Sequence, residues 1–146
     1  MKKPIRLVSI VAFALTAVFS YQAVSKTGQL FKTLPLAQET LDQYRWTNRP
    51  VLLFAPSESD DAYRLQIKIL EADKSGLAER DILVLGDIGD LGSGQLRETL
   101  QIDEFEIILI GKDGGVKLRS KMPISLEELF SLIDAMPMRR QEMRDM

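Results

Sequence analysis

The stretch Val51-Leu52-Leu53-Phe54-Ala55-Pro56-Ser57-Glu58-Ser59-Asp60-Asp61 decides how the rest of the chain is read. Five apolar residues in unbroken succession, stopped by a proline and a serine, have the pattern of a strand buried on both faces. The hydroxyls and acids that follow suit a helix start, where a side-chain oxygen satisfies a free backbone N–H. Ala62, Leu65, Ile69 and Leu70 then recur at helical spacing, with Ser59 or Asp60 as the cap and Gly76 at the C′ position. A fully buried strand feeding a helix is the building unit of a parallel sheet with helical crossovers.

The flanking sequence repeats the unit and then departs from it. Ile82 to Leu85 is a second buried strand, and Gly86 to Gly94, with four glycines and two aspartates, reads as a loop. Leu96 and Leu100 mark a short helix. Ile107 to Ile110 is a third apolar run, followed by Lys112-Asp113-Gly114-Gly115 and the alternating Val116 to Arg119. Asp-Gly between strand-like residues predicts a hairpin, so the last two strands are expected to be antiparallel neighbours. Ser125 with Glu128 makes a capping box ahead of Leu126, Leu129, Phe130 and Ile133, an amphipathic helix. This order predicts an α/β domain: a central mixed sheet of about four strands with helices on both faces, the thioredoxin-like arrangement.

The domain is expected over residues 37–136, after a linker at 26–36 and before a tail rich in methionine and arginine at 137–146. Residues 1–25 read as a secretory signal. Lys2, Lys3 and Arg6 precede an apolar run from Leu7 to Phe19, which is short for a bilayer span of about 20 residues but suits a signal core. Cleavage would follow Ser20 or Ser25. The rival is an uncleaved anchor over residues 7–24, the one route to membrane attachment. Removing the signal would leave 16 basic against 21 acidic residues, a net charge of −5. Such a chain is expected in the periplasm or outside the cell, with no long-range attraction to nucleic acid.

Composition excludes whole chemistries. There is no cysteine and no histidine. Disulfides, thiol nucleophiles and Cys-type zinc sites are therefore out of reach. The commonest general base is missing as well. Ser93 in Gly-Ser-Gly has no histidine to activate it, and no S-x-x-K occurs.

Four segments carry a resemblance: Leu41 to Phe54 (LDQYRWTNRPVLLF), Gly76 to Asp81 (GLAERD), Ile108 to Lys117 (ILIGKDGGVK) and Met136 to Glu142 (MPMRRQE). Together they resemble domain-of-unknown-function family 4174, over about residues 38–145. That family occurs as small exported bacterial proteins and within animal secreted matrix proteins with sushi repeats. The resemblance implies a thioredoxin-like or peroxiredoxin-like fold and export. It implies no reaction and brings no functional residues with it. A thioredoxin-like domain does imply where a site would sit. The redox pair belongs between the first long strand and its helix, where this chain has Ser57-Glu58-Ser59-Asp60-Asp61. The proline that faces the pair belongs before the third central strand, where this chain has Phe105-Glu106. Both halves of the redox centre are missing, which excludes thiol–disulfide exchange and thiol peroxidase chemistry.

Four places remain as candidate sites. Glu58, Asp60 and Asp61, joined by Glu104 or Glu106 from the opposite strand, could hold Ca²⁺ or a basic peptide, although first-turn acids are already explained by the helix dipole. Asp87 to Glu98, including Asp90, echoes a calcium loop but offers Gly89 and Leu91 where oxygen ligands belong, and reads better as a partner-binding loop. Tyr44-Arg45-Trp46 with Arg49 has the composition of an interface anchor. The plainer expectation is that Trp46 packs inside and Arg45 pairs with a nearby acid. Met136, Met138, Met143 and Met146 are soft ligands of the kind Cu(I) takes, and equally suit a docked amphipathic tail.

The expected function is an exported, non-redox interaction module with a protein partner in the cell envelope. It would bind through Glu58, Asp60, Asp61, Asp87, Asp90, Glu104 and Glu106. The alternatives are a carboxylate enzyme assisted by Ca²⁺ or Mg²⁺ at the same end, and a copper-binding tail. No cofactor is implied.

Overall fold

The structure, a computed structural model, describes residues 30–33, 41–89 and 95–146. The expected signal or anchor and Asp90 lie outside the described residues. Among those described, no helix is long and apolar enough to cross a membrane.

One five-stranded mixed sheet organises the domain. Its strands are β1 (Phe31–Thr33), β2 (Arg49–Ala55), β3 (Ile82–Ile88), β4 (Glu106–Ile110) and β5 (Val116–Ser120), in the spatial order β1-β3-β2-β4-β5. β2 runs parallel to β3, with Val51 opposite Val84 and Phe54 opposite Asp87. β1 is parallel to β3 on the outer side. β4 is antiparallel to β2, and β5 to β4, as the Asp-Gly turn requires. Among the described residues the helices are α1 (Asp61–Glu71), α2 (Lys74–Glu79), α3 (Gln95–Leu100), α4 (Leu126–Asp134) and α5 (Pro137–Arg144), with a 3-10 turn at Leu41–Tyr44.

Strand alternation divides the apolar residues between two cores. Val51, Leu53, Ala55, Val84, Ile107 and Leu109 meet Leu70 of α1, Leu77 of α2, and Leu129 and Ile133 of α4 on one face. Leu52, Phe54, Leu83, Leu85, Ile108 and Ile110 meet Leu96 and Leu100 of α3, Leu41 and Tyr44 on the other. All seven residues of β2 are buried, which is why its sequence after Arg49 is apolar without alternation. Gln66 of α1, fully buried, both donates to Ile124 O (3.2 Å) and accepts from Ile124 N (2.7 Å), fastening α1 to the approach to α4.

Several sequence expectations need correction. The described residues form five strands, because Phe31–Thr33, inside the segment read as a linker, pairs along the outer side of β3. Gly76 does not end a helix. The first helix stops at Glu71, and Asp73 caps a new one by accepting from Gly76 N at 2.8 Å. Gly76 is needed for space, since a Cβ there would strike Asp73 and come within 2.8 Å of Phe130. β3 continues through Gly86 and Asp87 to Ile88, so the loop begins later than its glycines suggest. The tail is a helix, with Pro137 in its first turn, where a missing N–H costs nothing.

Candidate functional site

The end of the sheet where β2 and β3 finish and β4 begins is the end where a thioredoxin-like fold keeps its reactive groups. Leaving β2, the chain turns through Pro56 to Asp60. Ser57 and Ser59 hydroxyls lie 2.9 Å apart. Asp60 is the N-cap of α1, accepting from Tyr63 N at 2.9 Å. Glu58 and Asp61 are exposed, and Glu104 is exposed on the approach to β4. Tyr63, in the first turn of α1, has its phenol pushed above its ordinary range by burial and by the Glu58 and Glu71 carboxylates.

One row of side chains crosses the sheet here. Asp87 and Glu106 both sit opposite Phe54 in register, so two acids flank one phenyl ring on the α3 face. Each has its own cation. Arg97 of α3 places Nη2 2.9 Å from Asp87 O and 3.5 Å from its carboxylate, reaches Ala55 O at 3.3 Å, and lies over the Phe54 ring. Its Nε is buried without a partner. Glu106 is held by Arg119 of β5, which also donates to Leu100 O at 2.9 Å. Burial raises the Asp87 carboxyl above its ordinary value, and Arg97 opposes that shift without cancelling it.

The described sequence-derived acids, all but Asp90, therefore share an end of the domain but do not converge as ligands. Among the described residues, no three acidic side chains are grouped to hold a metal ion. Asp60 is spent on capping, and Asp87 and Glu106 on arginines. Trp46 is not packed inside, as expected from its size. It is 66% exposed, with a positive φ of 64°, while its N–H donates to Lys112 O at 2.8 Å. Arg45 does pair with an acid, Asp42, at 3.5 Å. In the tail, Met138, Met143 and Met146 are exposed while Met136 packs against the α4 core.

A second polar centre, which the sequence reading missed, lies at the opposite end of β2. Arg49, its first residue, donates through Nη1 and Nη2 to the Glu142 carboxylate of α5 at 3.2 and 3.0 Å, and to Arg80 O at 2.9 Å. Lys112 reaches Asp81 at 2.9 Å and Glu142 at 2.8 Å. Arg139 bridges Glu79 at 2.6 Å and Asp134 at 3.3 Å, and Arg80 pairs with Asp134 at 2.7 Å while lying over the Phe130 ring. Burial alone would raise the Glu142 and Asp134 carboxyls. Their hydrogen bonds to Arg49 and Lys112, and to Arg80 and Arg139, reverse that and hold both below their ordinary range. The signal for this centre was present, since a basic residue and an acid occur together in each of the four segments that carry the family resemblance. Only the fold shows that they meet.

The chain has the fold of known thiol proteins. It is similar to a reduced 2-Cys peroxiredoxin of Plasmodium vivax, with a TM-score of 0.54 and 16% identity over 70% of this chain and 84% of that one. It is also similar to oxidised thioredoxin O2 of Arabidopsis thaliana, with a TM-score of 0.50 and 14% identity over 73% of this chain and 94% of that one. By sequence it is similar to Sushi repeat-containing protein SRPX of Homo sapiens, 32% identical over 73% of this chain and 27% of the relative. Coiled-coil domain-containing protein 80 of Danio rerio is 29% identical over 70% of this chain and 15% of its own length. The chain thus spans about a quarter or less of the curated relatives it matches. The stretch from the 3-10 turn at Leu41 to Glu142, with the whole charged centre inside it, falls within residues 40–142, which match the family described as Domain of unknown function (DUF4174), and this chain belongs to that family.

Proposed function

We propose that this chain is a non-redox interaction module, exported to the cell envelope, that binds a protein partner through the end of the sheet where a thioredoxin-like fold keeps its thiols. The observation that carries the reading is the replacement of that centre. The loop after β2 offers Ser57, Glu58, Ser59 and Asp61 to solvent, in a chain without cysteine. Exposed acids and hydroxyls on a short, helix-anchored loop suit recognition of a basic or amide-rich surface. The curated relatives carry the matching region as a small part of much longer chains, which fits a module that docks. Export rests on the basic start and the apolar run from Leu7 to Phe19.

The test is quantitative capture from the envelope fraction with the intact protein and with Glu58→Ala/Asp60→Asn/Asp61→Ala. Asparagine at position 60 keeps the helix cap while removing its charge. Selective loss of particular captured proteins, with thermal stability unchanged, supports the reading. Identical capture by both proteins removes this surface from consideration.

A further inference from the structure

Glu142 is surrounded by more positive charge than a residue on a polar surface helix should meet. Its carboxylate takes both Nη atoms of Arg49 in a fork, at 3.2 and 3.0 Å, and Lys112 Nζ at 2.8 Å, with Arg139 Nη1 at 3.7 Å. The cations are interior: the Arg49, Arg139 and Lys112 side chains are 1%, 1% and 9% exposed, against 24% for Glu142.

Arg49 and Lys112 belong to the body of the domain and are positioned without α5. Arg49 is anchored by β2 and by Arg80 O, and Lys112 by the start of the β4–β5 hairpin and by Asp81. Arg49 Nε is buried and has no hydrogen-bond partner. The helix that delivers Glu142 has little apolar hold, since the buried residue within α5 is Arg139. A rigid fork of donors beside a point charge, both desolvated and both fixed by the scaffold, is the chemistry that recognises a planar carboxylate.

We infer that Arg49 and Lys112 form a carboxylate-binding site that Glu142 fills from within the same chain, and that a carboxylate ligand from outside occupies it when Glu142 is withdrawn. This site lies at the other end of β2 from the interaction surface proposed above and stands independently of it.

The test uses the full chain carrying Glu142→Ala, which removes the carboxylate and vacates its place between Arg49 and Lys112. Its thermal unfolding is followed at neutral pH in sodium acetate, with sodium chloride at equal ionic strength as reference. Acetate raises the midpoint of the variant saturably in the millimolar range, leaves the unaltered protein at the chloride value, and has no such effect on Lys112→Met/Glu142→Ala. Should Glu142→Ala be unfolded on its own, the same titration is read as acetate-driven return of near-ultraviolet circular dichroism. Equal responses to acetate and chloride, or equal acetate responses in all three proteins, overturn the site. Inorganic phosphate matching or exceeding acetate overturns its assignment to carboxylates.

Discussion

Replacing Gln66 with methionine tests how the core beneath α1 is held. Gln66 is fully buried and makes a reciprocal pair with the backbone of Ile124, at 2.7 Å from Ile124 N and 3.2 Å to Ile124 O. The Ile124 N–H can only donate, so the amide oxygen must face it and the amide nitrogen the carbonyl. Methionine fills the space but strands both backbone groups, at about 1–3 kcal/mol each. Removing the buried amide itself returns about 1–2 kcal/mol. At mid-range values the net loss is about 2.5 kcal/mol, which at a urea slope near 1.5 kcal/mol per molar lowers the midpoint by about 1.7 M. A midpoint within about 0.3 M of the unaltered protein would refute this account of the core. Gln66→Glu sharpens the test. Its carboxylate can accept from Ile124 N but cannot donate to Ile124 O, so the native state favours the protonated form and raises its pKa above the ordinary value of about 4.3. Its stability is therefore greatest below that value and falls as pH rises through the native pKa. Relative to Gln66→Met, it should gain as the solution is acidified.

Gly114 has φ +84°, and a Cβ there would collide with the Arg45 guanidinium, so Gly114→Ala should cost about 1–3 kcal/mol in urea unfolding. Trp46, exposed at φ 64°, should be open to acrylamide quenching in the native state, and Trp46→Asn should raise stability by about 0.5–1 kcal/mol because asparagine tolerates that backbone better. Asp134 and Glu142 have native pKa values held below their ordinary 3.8 and 4.5. Their stabilisation is present above those values and is lost as pH falls through the depressed ones, so Asp134→Asn should flatten the acid limb of the stability profile.

The inner strands were legible because burial on both faces leaves no polar residue to blur them, as in Val51 to Ala55 and Ile107 to Ile110. The Asp-Gly turn and the Ser125 cap were legible because their chemistry is local; Glu128 N donates to Ser125 Oγ at 3.1 Å. β1 escaped notice because three residues on an outer strand carry almost no pattern. The break between α1 and α2 was hidden because Gly76 looks like a helix stop, whereas its role is to let Phe130 approach. Trp46 was misread because aromatic size argues for burial, whereas it sits exposed in a left-handed turn whose N–H donates to Lys112 O, a conformation that aromatic size does not signal. At the candidate site, the placement of Ser57 to Asp61 and Glu106 at one end followed from strand order. The cations that neutralise Asp87 and Glu106 did not, since Arg97 and Arg119 reach them only through the tertiary fold.

The bond between Arg49 and Glu142 joins positions 93 apart in sequence. A ribosome releases residues in order, so the early part of the polypeptide waits with an uncompensated guanidinium at the base of its central strand until the partner carboxylate emerges. Closure of the long loop must precede the reward, which slows commitment to the native state.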